Sequence, residues 1–252
     1  MNIKIFEKQT DLDHYAADLI VETVKQKDRP VLGLATGSTP IGIYKSMVEK
    51  YRSGEVSFRS VTTYNLDEYV GLPSGHEQTY AYYMQDNLFQ HIDIPAAQTF
   101  LPNGMASDLQ SECRRYDDML AKQPVDLQLL GLGHNGHIGF NEPSDVLTSG
   151  THVAPLKEST RLANARFFNH LEEVPKQAIT MGVGSILKAK TILLAVRGAD
   201  KAAIVREALT GPITTECPAS LLQTHANVIV LLDQDAGKEL IANDPTLFMA
   251  HQ

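Results

Sequence analysis

Cysteine is scarce in this chain, and a surplus of cations is missing altogether. Cys113 and Cys217 stand far apart with no CxxC pattern, which argues against a disulfide framework and against a cysteine zinc site; two free thiols in a reducing compartment are expected. The 22 Lys and Arg are outnumbered by 30 Asp and Glu, giving a formal net charge of −8. Nonspecific nucleic-acid binding is disfavoured by that balance, and no basic stripe interleaved with aromatics occurs. Long apolar runs are missing as well: the longest are strand-sized, far short of a membrane span. Residues 1–7 contain no apolar h-region or small-residue cleavage site, so a cytoplasmic location is expected. Repeats, low-complexity tracts and linkers rich in Gly, Ser or Pro are lacking. The length of 252 residues, 43% apolar and 21% charged, suits a globular protein with a sizeable core.

What is present is concentrated in residues 130–143, Leu-Gly-Leu-Gly-His-Asn-Gly-His-Ile-Gly-Phe-Asn-Glu-Pro. An apolar run over 125–132, with Asp126 and Gln128 as its only polar members, reads as a buried parallel strand that stops at Gly133. In open α/β sheets the ligand lies outside the carboxyl ends of the strands, so a strand emptying into two imidazoles, an amide and a carboxylate points at a site. His137 and Glu142 are candidates for a proton relay. His134 and His137 could instead form a zinc site beside Glu142, but the spacing is not HExxH and the glycine-broken segment does not suit a regular helix.

Taken in order, the chain alternates helices and strands. Apolar residues at helical spacing predict a helix over 10–27, capped by Thr10 or Asp11. A short apolar strand at 31–35 runs into Thr36-Gly37-Ser38-Thr39-Pro40 and a second helix over 40–51. A glycine-hydroxyl loop with proline at the first helical position offers free N–H groups and a positive helix end to an anion, although such a loop serves ordinary capping equally well. It is neither the Walker pattern nor GxGxxG. A strand over 59–66 ends at Asp67-Glu68, where ordinary capping by Asp67 and solvation of Glu68 compete with a catalytic reading.

Helices are expected over 76–89 and 107–122, with an edge strand at 99–102 limited by Pro102. The polar stretch 144–159 is the candidate for a lid, extending as far as residue 170. Strands follow at 178–182, 191–196 and 226–232. The second of these is followed by a helix with Lys201 in its first turn, an electrostatically unhelpful place for a cation unless an anion lies beside it. A short helix over 217–224 and another ending near residue 241 complete the pattern. The expected fold is α/β, a single-domain, doubly wound, mostly parallel sheet of about seven strands, Rossmann-like, with helices on both faces.

Three stretches together carry a family resemblance: residues 34–40 (Leu-Ala-Thr-Gly-Ser-Thr-Pro), 64–69 (Tyr-Asn-Leu-Asp-Glu-Tyr) and 131–143. In order and spacing they resemble the signatures of glucosamine-6-phosphate deaminases, and residues 161–168 strengthen the match. The resemblance spans nearly the whole chain. It implies conversion of glucosamine 6-phosphate and water to fructose 6-phosphate and ammonia in amino sugar catabolism, with no metal and no organic cofactor. Asp67 matches the family's base that moves a proton between C2 and C1, and His137 the group that opens the pyranose ring. Glu142 and Asn135 match its relay partners. For the substrate phosphate the resemblance transfers Gly37, Ser38, Thr39, Arg166 and Lys201.

The chemistry suits those roles. One carboxylate on a rigid strand end can reach both carbons, and an imidazole near neutrality can both give and take a proton, its tautomer fixed by a carboxylate. Asn135 departs from the aspartate that some members carry, leaving the relay one carboxylate short. Residues 144–154 contain no Lys or Arg, whereas the larger hexameric members place an allosteric phosphate pocket there. A monomer or small homo-oligomer, not activated by N-acetylglucosamine 6-phosphate, is therefore expected. Two other readings compete. A 6-phosphogluconolactonase-type hydrolase would not need the Asp67 motif. A sugar-phosphate-sensing regulator domain would need a helix-turn-helix ahead of a first strand expected at about residue 31, which leaves no room for one.

Overall fold

The computed structural model describes residues 1–158, 161, 162, 165, 168 and 170–243. Seven strands build the main sheet: β1 (Asn2–Phe6), β2 (Val31–Leu34), β3 (Thr62–Asn65), β5 (Thr99–Phe100), β6 (Leu127–Leu130), β9 (Thr191–Val196) and β10 (Val228–Asp233). Their order is β1-β10-β9-β6-β2-β3-β5, and every neighbouring pair is parallel. All four residues of β2 and of β6 are buried, which requires cover on both faces of the sheet. The edge strand expected near residue 99 is indeed the last in the order.

The helices arise where the apolar spacing places them. In α1 (Gln9–Lys25), Leu12, Ala16, Ile20 and Val24 recur every fourth residue and are buried; Thr10 and Asp11 lie inside the helix, and its N-cap Lys8 makes no side-chain cap. Next come α2 (Pro40–Arg52), α3 (Tyr80–Asn87), α4 (Leu109–Lys122), the single turn α5 (Val183–Ile186), α6 (Ala202–Thr210) and α7 (Gln234–Asn243). Tyr116 of α4 donates its hydroxyl to Asn65 O at 2.7 Å and stands edge-on to Tyr64, fixing that helix against β3.

Seven strands were expected and seven are found, but one member differs. The strand at 2–6 precedes the expected start at residue 31: it is a short edge strand against β10 in which only Ile5 is buried, so its sequence carries little apolar signal. The strand expected at 178–182, β8 (Gln177–Thr180), lies outside the main sheet. It pairs antiparallel with β4 (Asp67–Tyr69) on one side and β7 (His152–Pro155) on the other. The single strand read over 59–66 is thus shorter, and the chain turns at Leu66 from the main sheet into this smaller one, where Met181 N donates to Leu66 O at 2.7 Å. Part of the irregular stretch 144–159 is strand as well. The small sheet has its own cluster of Tyr69, Phe140, Ala154, Leu156 and Ala178.

Candidate active site

Because the main sheet is parallel, β9, β6, β2 and β3 deliver their carboxyl ends to one rim. The chain builds outward from β2 through β3 to β5, then returns to the other side of β2 with β6, so the strand order reverses between β2 and β6. Ligands of doubly wound sheets bind at that switch point.

The loop after β2 holds Gly37 at φ +106, with Pro40 opening α2 and no side chain capping the helix from Thr39. Uncapped N–H groups and the positive helix end therefore face outward at Gly37, Ser38 and Thr39, an anion cradle. Tyr83 of α3 fixes the loop by donating its hydroxyl to Gly37 O at 2.7 Å. Lys201, in the turn between β9 and α6, reaches across to donate to Leu132 O at 2.7 Å beyond the end of β6. Burial pulls the Lys201 ammonium below the usual lysine range, and Asp200 partly offsets this. Arg166, the other expected phosphate ligand, lies outside the described residues.

The loop after β6 folds back on itself, with Gly133 N donating to His137 O at 2.9 Å. The imidazole of His137 then lies directly over Gly133, where a Cβ would overlap the ring. Asn135 Nδ2 donates to Glu142 Oε2 at 2.6 Å, and the other oxygen of Glu142 lies 3.4 Å from His137 Nδ1. One carboxylate thus bonds the amide and stands within ion-pair reach of the imidazole, whose Nδ1 makes no hydrogen bond among the described residues, bringing together three of the four expected catalytic residues. His134 turns away from them: its Nε2 lies 2.7 Å from Asp200 Oδ2, with the His134 side chain 70% exposed. The two imidazoles pair with different acids, so they do not converge as the zinc reading required. Among the described residues no group of three or more His, Cys, Asp and Glu is arranged to hold a metal ion.

Asp67 arrives from the other side, as the first residue of β4. Its Oδ2 would lie 3.6 Å from a Cβ on Gly139, two residues beyond His137, so the carboxylate abuts the loop that carries the relay. It is buried, and its pKa is pushed up to about 8, chiefly by burial and then by the neighbouring Glu68 charge. Glu68 is neither solvated nor spare. It accepts hydrogen bonds from the backbone N–H groups of Tyr69, Tyr80 and Ala81 at 2.8, 3.0 and 2.9 Å, capping α3. Burial raises its pKa in spite of those donors. Tyr80 and Phe140 stack at this corner with Tyr69 tilted against both, and the ring of Phe168 stands edge-on to Tyr69.

Sequence reasoning passed over two contributors. Tyr83 belongs to the helix expected over 76–89, and its hydroxyl is the only signal of this contact in the sequence. Thr180, whose Oγ1 accepts from Phe140 N at 3.1 Å, positions the relay loop from β8, a strand assigned to the wrong sheet.

Comparison with known proteins agrees with this fold. Residues 7–231 match the family described as glucosamine-6-phosphate isomerases/6-phosphogluconolactonase. A glucosamine-6-phosphate deaminase of Clostridium perfringens is 49% identical over 241 residues, covering 95% of this chain and 100% of its own. One from Bacillus cereus strain G9842 is 52% identical over 236 residues, covering 94% and 88%. Among solved structures, a monomeric glucosamine-6-phosphate deaminase superposes with a TM-score of 0.92 at 46% identity, covering 94% of this chain and 99% of that one. A 6-phosphogluconolactonase of Trypanosoma brucei, 19% identical with a TM-score of 0.75 over 95% of this chain and 98% of its own, shares the fold. With nearly its whole length matched and about half its residues shared with such relatives, the chain belongs to the glucosamine-6-phosphate isomerase/6-phosphogluconolactonase family.

Proposed function

We propose that this protein is a glucosamine-6-phosphate deaminase, converting glucosamine 6-phosphate and water to fructose 6-phosphate and ammonia. The observation that carries the reading is the buried Asp67 carboxylate lying against the very loop that holds His137 and Glu142. A lactonase has no proton to move between adjacent carbons.

In this reading the phosphate sits on Gly37, Ser38 and Thr39, with Lys201 and Arg166 supplying local cations in an acidic protein. His137 gives a proton to the ring oxygen and takes one from the C1 hydroxyl, and Glu142 holds its tautomer while Asn135 orients Glu142. Asp67 removes the C2 proton and returns it to C1. The resulting C2 imine adds water and loses ammonia, leaving the ketose. The cytoplasm is its compartment, consistent with two buried free thiols and a sugar phosphate substrate. A monomer or small homo-oligomer suits the chain, whose solved relative is described as monomeric. The lid expected over 144–170 lies in part outside the described residues, and within it 152–155 is tied into the small sheet.

The decisive assay is ammonia release from glucosamine 6-phosphate, run beside glucosamine and 6-phosphogluconolactone. Turnover of the amino sugar phosphate alone is expected; hydrolysis of the lactone without ammonia release would replace this reading with the lactonase.

A further inference from the structure

Arg197 and Asp13 stand outside the set assigned above, yet they meet beneath it. Arg197 follows the last residue of β9; Asp13 is the fifth residue of α1. Separated by 184 positions in the chain, they form an ion pair in which Arg197 Nη2 donates to Asp13 Oδ1. The pair is largely withdrawn from water, with side-chain exposures of 15% and 11%. Arg197 Nε is buried and has no partner among the described residues. The same Asp13 carboxylate fills the space beside Gly42 that a Cβ would need. Gly42 is the third residue of α2, in the turn whose N-terminus forms the anion cradle, and glycine inside a helix otherwise costs about 1 kcal/mol relative to alanine. Close approach of the carboxylate explains its presence there.

One acidic side chain thus touches the first turn of α2 and, through Arg197, the end of β9. Lys201 is four positions beyond Arg197, after a turn pinned by Gly198 N donating to both oxygens of Asp233 at 3.1 Å. The two contacts of Asp13 therefore lead to the two separate parts of the phosphate set, the cradle and the lysine. A buried ion pair is weak evidence for net stability, because desolvation offsets its Coulomb attraction.

We infer that Arg197 and Asp13 are positioning residues, a buried brace that holds the anion cradle of α2 in register with Lys201 so that both engage one phosphate. The inference rests on the deaminase reading for the identity of the substrate, though not for the brace itself. Removing the guanidinium alone leaves an unpaired carboxylate under a site for a dianion; removing both charges does not.

The test compares Arg197→Met, Arg197→Lys and the double variant Asp13→Asn/Arg197→Met with the parent. Readouts are KM and kcat for glucosamine 6-phosphate, the competitive inhibition constant of inorganic phosphate, and the melting temperature. For Arg197→Met, KM and the phosphate constant are expected to rise together by about tenfold, with kcat within about twofold. The double variant should recover part of that loss, and Arg197→Lys should lie between. A lowered melting temperature with KM and the phosphate constant unchanged would reduce the pair to a structural ion pair and overturn the inference. Should Arg197→Met fail to fold, the lysine and double variants carry the same comparison. If the parent releases no ammonia, the deaminase reading fails by itself, and calorimetric titration of the same variants with inorganic phosphate still decides on the brace.

Discussion

A single methyl group at position 133 would collide with the His137 imidazole, so Gly133→Ala isolates the placement of that ring from its chemistry. Ring displacement of about 1 Å can cost about a hundredfold in rate, and kcat is expected to fall by that order while inhibition by inorganic phosphate stays unchanged. Equal weakening of phosphate binding would show that the loop collapsed as a whole. Asp67 has a pH signature. As a base it must be deprotonated, so kcat/KM should climb with pH toward a limb near 8 in the free enzyme, and Asp67→Asn should abolish turnover. The folded chain holds that proton more tightly than the unfolded one, so the stability it contributes is full in acid and lost as pH rises through about 8. Asp67→Asn, which cannot ionise, should therefore melt above the parent at pH 8, the gap closing as pH falls toward about 4; a pH-independent gap would contradict the raised pKa. Much of this was legible in the sequence because Asn135, His137 and Glu142 lie within one short loop. The Asp13–Arg197 pair was not, since nothing local announces a partner so far along the chain.

Between residues and whole fold stands α3, whose N-terminus is capped by a buried carboxylate from another element. Glu68→Gln retains one acceptor oxygen but loses the charge that faces three N–H groups, so a loss of about 1–3 kcal/mol is expected, read as a lower melting temperature. The same change removes a neighbour that raises the Asp67 pKa, so the rising limb of the rate profile should move to lower pH. A limb that stays in place would mean that burial alone sets it. For the lid expected over 144–170, substrate or inorganic phosphate should suppress proteolysis within 144–159; cleavage indifferent to ligand would remove the lid. Elements with long apolar runs, β6, β9 and β10, declared themselves in the sequence. The small sheet did not: β8 was expected at 178–182, but its antiparallel pairing with β4 and β7 joins segments distant in the chain.

For the molecule as a whole, absence of Lys and Arg from 144–154 removes the charges an allosteric sugar phosphate would need, so hyperbolic kinetics indifferent to N-acetylglucosamine 6-phosphate are expected. Sigmoidal kinetics relieved by that compound would overturn this. The doubly wound architecture was readable from the alternation of periodicities, although membership of the sheet depended on β1, whose signal is weak. Where β2 meets β6 the register comprises only Leu32 with Leu127 and Gly33 with Gln128, a slender seam within the main sheet. The cradle belongs to one side of that seam, the relay loop and Lys201 to the other. An occupied site consequently works as a stitch: hexose phosphate fastens both parts together, and hydrogen exchange along β2 and β6 should slow in step when it binds.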